Sequence, residues 1–208
     1  MVFPDNVKIF GLTGGICSGK SSAALFWQKN FSLFWISADL AARKLLEPGQ
    51  MGWQRVKELA GSFILADQQV DRSGLRQALF NDKNLRHDLN QALHPLIKED
   101  IYRQVTDLAA GKEGLQFFLI EVPLLYEVGW DKEFTEVIVV YVDNYQQCRR
   151  IIVRDMISET EAERALSCQW PLFDKALWAD HVIDNNYCWP LTVLQLIRLG
   201  RLLWTKKP

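Results

Sequence analysis

The sequence predicts an α/β fold in which a mostly parallel five-stranded sheet is flanked by helices. Three observations lead to this prediction. A glycine-rich segment, 14–21, lies between a predicted strand and a predicted helix. Apolar, β-branched segments then alternate with helix-like segments, which is typical of parallel sheets. The segment 136–143 is a nearly continuous apolar run, as expected of a strand covered on both faces.

Composition limits the classes of function. The chain has 208 residues, of which 49% are hydrophobic, and a formal net charge of −1, so it has no overall field for nucleic acid or membranes. Its apolar runs are too short to span a bilayer, and residues 1–6 do not resemble a signal peptide. The four cysteines lack Cys-x-x-Cys spacing. We therefore expect a cytoplasmic protein with free thiols and neither nucleic-acid nor membrane partners.

The first strand, 7–13, leads into a phosphate-binding motif. Residues 14–21 fit the pattern Gly-x-x-x-x-Gly-Lys-Ser/Thr of a P-loop, and a helix is predicted over 21–29. Backbone N–H groups and the helix N-terminus favour phosphate there. The alternative is an ordinary turn before a helix, which does not require the lysine and serine. The predicted nucleotide contacts are Gly14, Gly15, Cys17, Ser18, Gly19, Lys20, Ser21 and Ser22.

Two of these residues have distinct predicted roles. Lys20 would reach the β- and γ-phosphates of ATP, and the Ser21 hydroxyl would ligate Mg²⁺. The predicted cofactors are therefore ATP and Mg²⁺.

A second strand is predicted over 31–37, followed by a helix over 40–46. Asp39 follows the carboxyl end of this strand, where open α/β sheets place their ligand sites. The alternative, which the residue alone favours, is that Asp39 is a helix N-cap.

Turn signals at 47–49 precede a long helix-like stretch that extends to about Ile101. We read it as a helical insertion. Acidic and basic side chains lie near a predicted helix start, at Asp71, Arg72 and Arg76. They form either part of a site or a helix cap with solvated charges.

Glu121 lies in the third predicted strand, 117–123. It falls where P-loop enzymes place an acid that supports Mg²⁺, although a residue near a strand end can simply be exposed.

The C-terminal part carries basic residues on a predicted helix. Arg150 and Arg154 are spaced i, i+4 and share a face, which suits a phosphate clamp or a solvated basic surface. A capping box at 158–161 opens the next helix. A fifth strand, a closing helix and a frayed tail are predicted over 180–186, 190–204 and 206–208.

Several motifs in this order resemble the bacterial dephospho-CoA kinase family over nearly the whole chain. They are Gly11–Ile16 leading into Ser18–Ser21, Ser37-Ala38-Asp39 with Ala42-Arg43, Glu47-Pro48-Gly49, Asp71-Arg72 with Leu75-Arg76, Leu93–Ile97, Val122–Glu127, Arg150, Arg154-Asp155, Gln169, Lys175, Ala179-Asp180 and Val182–Asn186.

The resemblance implies ATP-dependent phosphorylation of the ribose 3′-hydroxyl of dephospho-CoA, with CoA and ADP as products. It implies a single P-loop kinase domain over 1–208, with a helical acceptor-binding region at 40–101 and a lid at 145–178. We expect a monomer or weak homo-oligomer.

The resemblance also implies residue roles. Asp39 would be the base, and Lys20 and Arg150 would stabilise the transferred phosphoryl group. Asn185 would lie near the adenine of ATP. The implied acceptor contacts are Asp39, Arg43, Arg72, Arg76, His94 and Leu124.

Three positions depart from the family pattern. Cys17 stands where the family usually has glycine, so a positive φ there would be strained, and a thiol near a helix N-terminus can have a lowered pKa. Ser37 replaces a frequent aspartate, and Tyr187 replaces a common glycine.

Two other functions fit parts of the pattern. Another small-molecule P-loop kinase, for nucleoside monophosphates or shikimate, would share the loop and the arginines. A regulatory NTPase would share the loop alone, but the sequence has no Asn-Lys-x-Asp guanine motif and no Leu-Ser-Gly-Gly-Gln motif. Acceptor preference distinguishes these functions.

Overall fold

The structure is a computed structural model that describes residue 3 and residues 5–204. The chain divides into two compact units. The first comprises the residues up to Ile36 and those from Ala109 onward, and the second comprises Ser37–Leu108. The predicted frayed tail, 206–208, lies outside the described residues.

The sheet has five strands in the order β2-β3-β1-β4-β5. The strands are β1 (Val7–Gly14), β2 (Leu33–Ser37), β3 (Gln116–Glu121), β4 (Glu136–Tyr141) and β5 (His181–Asp184). β1 pairs in parallel with both β3 and β4, and β4 pairs in parallel with β5. β1 is thus the central strand, so the loop that follows it begins in the middle of the sheet.

Each of these strands except β3 is followed by one or more α-helices. They are α1 (Lys20–Asn30), α2 (Ala38–Leu45), α3 (Met51–Ala60), α4 (Arg72–Asn81), α5 (Lys83–Ala109), α6 (Asn144–Asp155), α7 (Glu159–Ser167), α8 (Leu172–Trp178) and α9 (Trp189–Trp204). Over the described residues, no helix combines the length and apolar character needed to cross a bilayer.

The core of the first unit packs α1 and α9 against one face of the sheet. Trp27 of α1 is fully buried, and its indole Nε1 donates a hydrogen bond to the Leu196 carbonyl of α9 at 2.8 Å. The Trp27 and Trp204 rings meet edge to face, with centroids 4.9 Å apart. These contacts join α1 to α9, and the apolar cluster that both helices share with β1 and β4 holds α1, and therefore the loop at its N-terminus, against the sheet.

The second unit contains α2 to α4 and nearly all of α5. Its core is formed by Trp53, Val56, Ala60, Val70, Leu75 and Leu89. This unit therefore has an apolar core of its own.

The predicted fold class is confirmed, and the capping box is present, with Ser158 and Glu161 bonded reciprocally. Some boundaries differ. β2 begins at Leu33 because the Phe31 N–H caps α1 through the Trp27 carbonyl. β3 ends at Glu121, two residues before Pro123, whose ring nitrogen has no hydrogen to donate to a ladder.

Candidate nucleotide-binding site

The loop between β1 and α1 has an unusual backbone. Gly14, Cys17 and Gly19 all have positive φ, at 155°, 57° and 96°. Gly19 is the N-cap residue of α1. The left-handed conformation costs a non-glycine residue about 1–2 kcal/mol, so the backbone at Cys17 is strained, as the sequence predicts for a positive φ.

Close packing also demands glycine at two loop positions. A Cβ at Gly14 would lie 2.7 Å from the Val140 carbonyl oxygen, and one at Gly19 would lie 2.4 Å from the Asn185 amide nitrogen. Since such distances are shorter than real Cβ contacts, the loop is packed directly against the end of β4 and the residue after β5.

Lys20 begins α1 and is only 9% exposed. Its ammonium donates a hydrogen bond to the Gly15 carbonyl at 2.7 Å. The first turn of α1 contains no acidic residue, so no carboxylate of the helix itself offsets the positive end of the helix dipole. Together, Lys20 and this helix terminus favour an anion at the loop.

Ser21, Glu121 and Trp35 form a polar chain beside the loop. The Ser21 hydroxyl donates to Glu121 Oε1 at 2.8 Å, and the Trp35 indole donates to Oε2 at 3.2 Å. Glu121 is 5% exposed, so the interpretation of Glu121 as a merely exposed strand-end residue is wrong. The hydroxyl and carboxylate oxygens suit Mg²⁺, which needs one or two protein oxygens when phosphates and waters supply the rest. Among the described residues, no cluster of three or more His, Cys, Asp or Glu could hold a metal.

Arg150 and Asn185, for which the family resemblance implies a nucleotide role, both reach the loop. Arg150 donates to the Asn185 carbonyl at 2.8 Å and to the Cys17 carbonyl at 3.5 Å. The Asn185 amide donates to the Ser18 carbonyl at 2.9 Å and accepts from the Thr192 hydroxyl at 2.8 Å. Both residues therefore support the loop backbone, while contact between Asn185 and adenine stays a prediction.

Arg154 differs from Arg150 although both lie on α6. It makes two hydrogen bonds with Asp155, at 2.7 and 2.8 Å. The two arginines of the predicted basic face therefore differ in their partners. Arg150 is hydrogen-bonded to the loop, whereas Arg154 is paired with Asp155.

Burial raises the pKa of the Cys17 thiol, although the positive charge of Arg154, followed by those of Lys20 and Arg150, opposes this effect. The expectation of a lowered pKa is therefore wrong. Its premise fails because α1 begins at Lys20, three residues later, and desolvation outweighs the nearby charges.

Two glutamines hold Ile16, and the sequence analysis assigned a role to neither, although it named Gln169 among the family motifs. The Gln147 amide donates to the Ile16 carbonyl at 2.7 Å, and Gln169 Oε1 accepts from the Ile16 N–H at 3.0 Å. One signal was available for Gln147, which is 2% exposed and shares the buried face of α6 with Ile151. A polar residue in an apolar stripe needs a partner.

A second network connects α8 to the end of β1, next to the loop. Lys175 is completely buried, and its ammonium lies 2.5 Å from Glu127 Oε1 and 3.3 Å from the Pro123 carbonyl. The Thr13 hydroxyl donates to the same carbonyl at 3.1 Å. Leu124, a predicted acceptor contact, follows Pro123 and is 39% exposed.

Asp39 belongs to the second unit and lies exposed in the first turn of α2. The N-cap of this helix is Ser37, whose hydroxyl accepts from the Leu40 N–H at 3.4 Å. The alternative interpretation of Asp39 as the helix cap is therefore wrong, and its carboxylate is not used for capping.

The other predicted acceptor residues of the second unit are also solvent-accessible. Arg43, Arg72 and Arg76 are exposed, and Arg72 donates to the Arg43 carbonyl at 3.3 Å. Asp71 caps α4 by accepting from the Gly74 N–H at 2.9 Å, as the alternative reading of this segment expected. In α5, burial lowers the pKa of His94, and the Lys98 charge lowers it further.

Comparisons with known proteins agree with this geometry. The profile of the dephospho-CoA kinase family (CoaE) matches residues 8–189. A dephospho-CoA kinase of Shouchella clausii is 37% identical over 177 residues, which are 85% of this chain and 88% of that protein.

Solved structures show the same fold. A dephospho-CoA kinase from Campylobacter jejuni superposes with a TM-score of 0.68 at 25% identity, covering 95% of this chain and 98% of its own. A Thermus thermophilus structure has a TM-score of 0.83 at 23% identity, covering 97% of this chain and 100% of its own, and shows the likeness of fold alone.

Proposed function

This chain belongs to the dephospho-CoA kinase family, and we propose from this membership how its own residues transfer phosphate from ATP to the ribose 3′-hydroxyl of dephospho-CoA. The products are CoA and ADP, so the reaction ends CoA biosynthesis. The observation that carries the proposal is the family match over residues 8–189, which contains the complete phosphate-binding loop.

The loop binds the phosphates of ATP. Its backbone N–H groups and the N-terminus of α1 supply donors, and Lys20 supplies a buried positive charge. Phosphoryl transfer involves little covalent chemistry for the protein, so positioning and charge stabilisation provide the rate. Lys20 and Arg150 stabilise the negative charge on the transferred group.

Ser21 and Glu121 are the residues that would hold Mg²⁺. Their hydrogen-bonded oxygens fit the small number of protein ligands that this ion takes beside nucleotide phosphates. Bound Mg²⁺ neutralises part of the phosphate charge. Trp35 orients the carboxylate of Glu121 by bonding its second oxygen.

Asp39 is the general base in this proposal. Its carboxylate is exposed and is not used as a helix cap, so it can accept the proton of the 3′-hydroxyl. The residues proposed to bind the acceptor are Arg43, Arg72, Arg76, His94 and Leu124. Guanidinium groups suit its phosphate groups because they bind oxygen atoms in pairs.

Region 145–178, which comprises most of α6 and all of α7 and α8, acts as the lid and excludes water from the transferred phosphate. Region 40–101 serves the acceptor within a single catalytic domain. We propose a cytoplasmic enzyme that works as a monomer or weak homo-oligomer.

ADP release with Mg-ATP tests the function. Dephospho-CoA, AMP, shikimate and no acceptor are compared, with CoA detected by chromatography. Stimulation by dephospho-CoA alone, with CoA as product, supports the proposal. Stimulation by AMP or shikimate indicates another small-molecule kinase, and equal release in all four indicates a regulatory NTPase.

A further inference from the structure

The backbone of the phosphate-binding loop is held from outside by side chains of the C-terminal part. Gln147 bonds the Ile16 carbonyl, Asn185 bonds the Ser18 carbonyl, and Gln169 accepts from the Ile16 N–H. Gln147 and Gln169 belong to the region assigned above as the lid. All three partners are more than 130 residues from the loop in sequence, since their separations are 131, 167 and 153.

These bonds determine where the loop donors point. A peptide group is planar and trans, so its C=O and the following N–H point in opposite directions. By holding the Ile16 carbonyl on one side, Gln147 aims the Cys17 N–H to the other side. Asn185 has the same effect on the Gly19 N–H through the Ser18 carbonyl. Donors fixed before the ligand arrives lose less entropy on binding.

Gly15 provides an independent observation for Gln147. The φ angle of Gly15 lies outside the left-handed region, so its backbone would accept alanine. However, a Cβ at Gly15 would lie 2.0 Å from Gln147 Nε2. Glycine is therefore needed here because the Gln147 amide occupies the space that a methyl group would fill.

We infer that Gln147 and Gln169 are positioning residues that fix the Ile16 peptide groups and thereby orient the loop donors for the phosphates of ATP. They act through opposite chemistry. Gln147 must donate a hydrogen bond, whereas Gln169 must accept one. The inference rests on the proposed function only in requiring that the loop bind ATP.

The same conservative substitution should therefore weaken ATP binding at position 147 but have no effect beyond that of the added charge at position 169. Gln147→Glu removes the donor and directs a carboxylate at the Ile16 carbonyl, so we expect ATP to bind about tenfold more weakly. Gln169→Glu keeps the acceptor. Gln146→Glu places the same charge on the neighbouring residue of α6 and serves as the control for charge alone.

Calorimetry with AMP-PNP and with ADP measures this effect without an acceptor, so the result does not depend on the identity of the second substrate. We expect the two nucleotides to bind more weakly to Gln147→Glu, with Gln169→Glu matching the Gln146→Glu control. Steady-state kinetics should show a raised KM for ATP and an unchanged KM for dephospho-CoA. Wild-type affinity in Gln147→Glu, or equal loss in the Gln147 and Gln169 variants, would overturn the inference.

A double-mutant cycle covers the case in which a buried glutamate prevents folding. Gly15→Ala should displace the Gln147 amide and weaken nucleotide binding by about the same factor as Gln147→Ala. The double variant should then bind no more weakly than either single variant. Fully additive losses would show that the two residues act independently and would also overturn the inference.

Discussion

The phosphate-binding loop and the exposed arginines of the second unit present positive charge in different ways. Lys20 is 9% exposed, and side chains distant in sequence hold the loop carbonyls around it. Arg43 and Arg72 are exposed, and the bond between them uses the Arg43 backbone rather than its guanidinium. The loop is thus organised before a ligand binds, whereas the arginine side chains would have to be ordered by the proposed acceptor, at an entropic cost. We expect substitutions in the loop to lower kcat or weaken ATP binding, and substitutions of the arginines to weaken binding of the acceptor.

The largest expected effect belongs to the residue that would perform chemistry in the second unit. Asp39→Asn keeps the shape of the side chain but removes the base, so kcat should fall by roughly 10²–10⁴ while ATP binding stays intact. Asp88→Asn, on the exposed surface of α5, is the control. A near-wild-type rate would remove Asp39 from the role of base and would make the second unit a binding element only.

Lys20→Met tests the loop itself. This substitution removes a preorganised positive charge that would stabilise the transferred phosphoryl group, so kcat should fall by roughly 10²–10³. Lys29→Met, in the last turn of the same helix, controls for a general loss of positive charge. If kcat were unchanged and only the KM for ATP rose, Lys20 would stabilise the bound ground state and the transition state equally.

Glu121→Gln weakens the polar chain beside Ser21 without changing its volume. We expect the Mg²⁺ concentration for half-maximal activity to rise about tenfold, the usual lower range for residues that support a metal ligand. Glu113→Gln, in an exposed segment before β3, is the control. An unchanged Mg²⁺ titration would restrict Glu121 to a structural role.

Arg72→Ala tests whether an exposed arginine of the second unit binds the acceptor. Loss of one exposed guanidinium should raise the KM for dephospho-CoA about fivefold, as expected for an exposed ion pair worth about 1 kcal/mol, and leave the KM for ATP unchanged. Arg55→Ala, on the exposed surface of α3, is the control. A raised KM for both substrates would contradict the expectation that the loop binds ATP and the arginines bind the acceptor.

Cys17 should give the smallest effect. Cys17→Gly relieves the positive φ of 57°, and we expect a gain of about 0.5–1 kcal/mol in the free energy of unfolding after the entropic cost of glycine. Thermal denaturation measures it. A loss of stability would mean that packing of the thiol outweighs the strain.

Alkylation of the same thiol tests its environment. Because its pKa is raised, the thiolate should form only as pH rises above the ordinary thiol range, and labelling should accelerate there. ATP should protect Cys17. Peptide mass spectrometry separates this residue from the other cysteines, and equal labelling with and without ATP would contradict protection.

The sequence by itself determined the chemistry of the loop and the class of fold. Residues 14–21 are contiguous, so their spacing alone indicates a phosphate-binding turn, and the buried strands are visible as apolar runs. It also supplied the order of motifs that identifies the family. These features depend on local pattern, which the chain carries without reference to its fold.

Only the tertiary structure decided which side chains support the loop. The bonds from Gln147 and Gln169 to Ile16 span 131 and 153 residues, and the one from Ser21 to Glu121 spans 100. The parallel topology brings these segments together at the end of the central strand, and such pairings leave no periodic mark in the sequence. Ser37 rather than Asp39 caps α2 because the helix begins at Ala38. The residue types near the end of a strand do not specify where the next helix begins.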